Sequence, residues 1–107
     1  VDHDDLLTQI HALIAAADAP ADAAVLAHME DTLTVGYARA LALEAERWRL
    51  ERQIGEVAAS LAGGASSDTG DLATLARRMS ETDAEVVRLR TALGSLRDRA
   101  SELRSAA

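Results

Sequence analysis

Leu72, Leu75, Met79, Thr82, Val86, Leu89, Leu93, Leu96, Ala100 and Leu103 follow one another at alternating steps of three and four residues. Thr82 is the single polar member. This is the a/d spacing of a heptad repeat, and it predicts a helix over about 70–105 that lays one continuous seam against a partner helix. A matching stripe precedes it: Leu26, Met29, Leu33, Gly36, Ala40, Leu43, Arg47, Leu50, Ile54 and Val57, with Leu61 continuing it. That stripe predicts a second long helix over about 20–62, with weak points at Gly36 and Arg47. A shorter pattern opens the chain. Leu6, Leu7, Ile10, Leu13, Ile14 and Ala17 share one helical face, which predicts an amphipathic helix over about 3–17. Asp2, Asp4 and Asp5 stand at its start, where carboxylates suit the positive end of the helix dipole.

Breaks in the pattern set the connections. Asp18-Ala19-Pro20 separates the first two helices: Pro is tolerated in a first helical turn, and Asp18 or Ala19 can serve as the cap. Residues 63–70, Gly-Gly-Ala-Ser-Ser-Asp-Thr-Gly, form the clearest boundary and read as a hairpin loop. Gly63 can end the middle helix, and Asp68, Thr69 or Asp71 can cap the last one. The expected fold is therefore all-α: a single helical domain, residues 1–107, built as a long antiparallel coiled-coil hairpin with a short N-terminal amphipathic helix.

Two hairpin registers compete. One pairs Val57 with Leu72, Leu50 with Met79, Arg47 with Thr82, Gly36 with Leu93 and Leu26 with Leu103. The other is shifted by one heptad and sets Leu61 against Leu75. The first is favoured, because it puts the two polar seam residues in one layer and sets Gly36 and Ala40 each against a Leu. The shifted register would set Gly36 opposite Ala100, and the thin layer would cost roughly 1 kcal/mol or more. In the favoured register Arg47 packs its stem in the seam and sends its guanidinium out to Glu81 or Glu85.

Composition narrows the chemistry. The chain of 107 residues has no Phe, one Trp and one Tyr, so Leu, Ile, Val and Ala must do the packing. The absence of Cys excludes disulfides, thiolate nucleophiles and Cys-type zinc sites. All eleven basic residues are Arg, and with abundant Ala this is the usage expected of a GC-rich bacterial genome of the actinobacterial type. The net charge is −7, and residues 1–35 carry seven acids and no Arg. An acidic N-terminal third repels phosphate backbones. The last helix intersperses its arginines with Glu81, Asp83, Glu85, Asp98 and Glu102, a solvated coiled-coil flank rather than a basic stripe. No nucleic acid is expected as a partner. No apolar run is long enough to span a bilayer, and no signal-peptide pattern is present, which favours the cytoplasm and no membrane. The first residue is Val, which leaves room for a native start, and a targeting segment, ahead of it.

No catalytic pattern emerges. His3, His11 and His28 are the only histidines, and neither Glu-x-x-His nor His-Glu-x-x-His occurs. Gly-x-Ser-x-Gly is missing, and without Lys there is no Walker loop. Glu44 and Glu51 lie two turns apart with no concave pocket to perturb them. The expectation is a chain that is not an enzyme and holds neither cofactor nor metal.

What the seams leave over points to contacts. Tyr37, Leu41 and Trp48 form a second apolar line on the middle helix, beside the seam, and Val87 is similarly placed on the last. A first helix running antiparallel to the middle one reaches back only to about Tyr37, so Trp48 stays uncovered. These four are the candidate interface of a homodimer. Leu6, Leu7, Ile10, Leu13 and Ile14 are the candidate partner face of the first helix, an element able to detach behind its Pro break. Arg47, Arg49 and Arg52 are a candidate anion contact, for a ligand-sensing regulator. In size and shape the chain resembles the WxG-type helical hairpins exported by type VII secretion, and that resemblance would imply export. Those proteins carry Trp-x-Gly in the hairpin turn and Tyr-x-x-x-Asp/Glu after the second helix. Here the turn is Gly63-Gly64 without Trp, and Ser101-Glu102-Leu103-Arg104-Ser105 has no Tyr. Helical-hairpin anti-sigma factors are an analogy of architecture alone. The function expected is protein–protein interaction, as a small homodimeric adaptor or regulator.

Overall fold

The structure is a computed structural model that describes residues 3–16, 23–64 and 69–106. Among these it contains three helices and no strand: α1, His3–Ala16; α2, Ala23–Ala62; and α3, Thr69–Ala106. The chain is all-α, and α2 and α3 pack closely as a helical hairpin. The break at 18–20 and the candidate cap Asp68 lie outside the described residues. Helix α2 ends in a glycine turn. The Gly63 N–H donates to the Ala59 carbonyl and the Gly64 N–H to that of Leu61, tying down carbonyls that a helix end leaves open. Gly64 has φ +85°, a left-handed conformation that costs any residue with a Cβ. Helix α3 carries Asp71 in its first turn and Arg104 in its last, each at the dipole end that suits its sign.

The helices fall into two compact units. The first joins Val1–Ala40 to Arg88–Ala107 and so contains α1, the start of α2 and the end of α3. Its core holds Met29, Ala40, Leu89, Leu93, Leu96 and Ala100, all fully buried. Helix α1 contributes Leu6, Ile10 and Leu13, also buried. Leu6 and Gln9 lie along one groove with His28, Asp31, Thr32 and Val35 of α2. That places α1 on the His28–Thr32–Val35 flank of α2. Its docking on this flank accounts for the burial of Thr32, which the heptads do not predict. Thr32 and Ala92 both sit beside the seam, and both are buried. The Thr32 hydroxyl donates to the His28 carbonyl at 2.8 Å, so it enters the core already satisfied.

Gly36 fixes the register of this unit. A Cβ built on it would lie 2.3 Å from Cδ2 of Leu93. The missing side chain is the socket for Leu93, which is the pairing favoured from the sequence. Arg104 of α3 reaches Glu30 of α2 at 3.4 Å across the outside of the same contact.

The second unit is Leu41–Val87. Leu43, Leu50 and Thr82 are buried in its seam. Ile54, Val57, Leu72, Leu75, Met79 and Val86 occupy the same kind of position and are half-buried. Arg78 approaches Glu46 at 3.8 Å on one flank. On the other, the Arg47 Nε donates to the Asp83 carboxylate. This pair agrees with the register of Gly36 and Leu93, but the partner differs from the expected Glu81 or Glu85. The reason is angular. Going round α3 from Thr82, Asp83 and Val87 fall to one side and Glu81 and Glu85 to the other. Arg47 leans to the Asp83 side.

Candidate interaction surface

Leu41, Trp48 and Val87 are 64, 70 and 65 % exposed, and all three belong to the second unit. They stay outside because of helical phase. Leu41, Glu44 and Trp48 each follow a seam residue by one position, so they project from its side rather than into it. Trp48 lines two open grooves. One runs along α2 with Ala45, Arg49, Glu51 and Arg52. The other lies between α2 and α3, with Glu44, Arg47, Asp83, Val86 and Val87. The indole thus stands as a ridge with a mixed-charge groove on either side, the second including Val86 and Val87.

The other candidate residues are placed as follows. Tyr37 is half-buried and belongs to the first unit. The surface therefore consists of Leu41, Trp48 and Val87. In α1, Leu6, Ile10 and Leu13 are buried, and Leu7 and Ile14 are half-buried. The apolar face of that helix is occupied within the chain, and any partner of it would have to displace it. Arg49 and Arg52 share a groove, but Glu51 stands between them, and Arg47 is held by Asp83 with Glu51 a further 3.8 Å away. Arg47 lines the other groove beside Trp48, so the three arginines do not share one groove. An anion beside Arg49 and Arg52 would meet a carboxylate as well as two cations.

Among the described residues, no three His or acidic side chains come together as a metal site. No helix among them is long and apolar enough to cross a membrane. No family model matches the chain, and no curated protein or solved structure is similar enough to it to count as a relative.

Proposed function

We propose that this chain is a non-enzymatic protein–protein interaction module, a small homodimeric coiled-coil adaptor or regulator of the cytoplasm. The observation that carries this reading is Trp48, exposed beside Leu41 and Val87 in a unit whose own two helices leave it uncovered. Burying an indole removes about 150–250 Å² of surface from water, the largest contribution any one residue of this chain can make to a contact. Exposed Trp flanked by aliphatic side chains and Arg is the composition of an interface centre. The open, mixed-charge grooves on either side suit side chains from another helix. They do not enclose a small molecule or exclude water from a reaction. Light scattering on the wild type and on Trp48→Ala tests the reading. The expected result is the mass of two chains for the wild type and of one for the variant. A wild type that stays at one chain at high concentration would overturn it.

A further inference from the structure

Helix α1 differs from the other two in length. It has 14 residues, against 40 in α2 and 38 in α3. A lone helix that short is marginal in water, so α1 owes its fold to docking. The docking rests on three buried anchors, Leu6, Ile10 and Leu13. Leu7 and Ile14, at the margin of the same face, are half-buried.

The α2 side of that contact is mostly polar. The groove where Leu6 and Gln9 meet α2 is lined by His28, Asp31, Thr32 and Val35, and Val35 is still 48 % exposed. The Thr32 hydroxyl donates to a carbonyl of its own helix, and that bond survives if α1 leaves. Returning such side chains to water forfeits little burial energy. The cost of opening therefore falls mainly on the three anchors of α1 itself.

The hairpin does not depend on α1. The second unit is an internal control: there α2 and α3 hold a seam with Leu43, Leu50 and Thr82 buried, and α1 contributes no residue to that unit. Without α1 the first unit keeps a seam of the same two helices. Its socket between Gly36 and Leu93 stays, because both partners belong to the hairpin.

We propose that α1 is a strap that opens as a unit from a hairpin that stays folded. Closed, it withholds Leu6, Ile10 and Leu13 from other molecules and covers the His28–Thr32 flank. Open, it loses its helix, and anchors and flank become accessible together. The device is independent of the Trp48 surface, which belongs to the other unit.

Native-state amide exchange in low urea tests it, on the wild type and two variants. In the wild type the α1 amides should exchange through one opening of shallow urea dependence, about tenfold or more faster than the amides around Leu89, Leu93 and Leu96. Leu13→Ala weakens the closed form alone. It should hasten the α1 amides and the slowest hairpin amides alike, by about thirtyfold. Leu50→Ala weakens the open and closed forms equally. It should hasten the slowest hairpin amides and leave α1 at its wild-type rate. A single cooperative unit predicts otherwise: α1 would share the rate and urea slope of the hairpin amides, and Leu50→Ala would speed both. Either result overturns the strap, and so does an α1 exchange rate that ignores Leu13→Ala.

Discussion

The unit that holds α1 and the unit Leu41–Val87 use the same seam spacing and bury it to different depths. In the first, Met29, Leu89, Leu93 and Leu96 lose all contact with solvent. In the second, Ile54, Val57, Leu72, Leu75 and Met79 stay half-buried at equivalent positions. The residue types are alike, so side-chain chemistry does not explain the contrast. The number of helices does. Two helices alone bury Leu43, Leu50 and Thr82 but leave the flanks of the other seam residues wet. A third helix seals a flank and draws Thr32 inside as well. Heptad spacing therefore specifies which helix meets which, and the count of neighbours sets how much stability each leucine returns.

The largest test of this contrast removes an anchor of the third helix. Ile10→Ala should cost about 3 kcal/mol in urea denaturation, within the range for a fully buried aliphatic residue. It should also speed amide exchange in α1. Leu75→Ala, in the two-helix unit, should cost only about 1 kcal/mol, since part of that side chain is already in water. Equal losses would mean that depth of burial carries no energetic weight here.

A sharper test uses the two glycines of α2 on a Trp48→Ala background, so that self-association does not contribute. Gly36→Ala forces a methyl into fully buried Leu93. Overpacking of about 1–3 kcal/mol should outweigh the roughly 1 kcal/mol that alanine adds to a helix. Gly55→Ala meets no obstacle and should raise stability by about 0.5–1 kcal/mol. Thermal melts of the pair should move in opposite directions, and a shift of the same sign would remove the socket role of Gly36. The smallest effect belongs to Asp83→Asn. Both partners of the Arg47–Asp83 pair are more than a third exposed, so the loss should be about 0.5 kcal/mol or less and should fade in added salt.

Much of the architecture was legible in the chain. The stripes foretold three helices, and α1 and α3 begin and end within a residue or so of the expected limits. The Gly36–Leu93 pairing followed from matching small to large across the seam, a local rule that needs no third element. Burial of Thr32 was not legible, because it comes from α1, and nothing in the period of α2 marks which flank α1 takes. The partner of Arg47 was missed for a related reason. Three acids surround Thr82 in sequence, and choosing Asp83 requires knowing the side to which the guanidinium leans. The exposed line was legible at Leu41, Trp48 and Val87 from phase alone. Tyr37 shares that phase but is half-buried, since burial beside a seam depends on neighbours that the pattern does not name.

The left-handed turn at Gly64 bears on how long the folded chain lasts. Contacts next to that turn, such as those of Leu72 and Leu75, close the shortest loops and lose the least chain entropy on forming. They are also the shallowest layers of the hairpin. A zipper started at the turn therefore gains little at first and becomes strongly favourable only when it reaches Leu89, Leu93 and Leu96. The rate-limiting state should hold the turn-proximal layers and lack the distal ones. Leu75→Ala should then mainly slow refolding, and Leu93→Ala should mainly hasten unfolding. On those terms the lifetime of the native chain is set by the layers farthest from the turn that starts it.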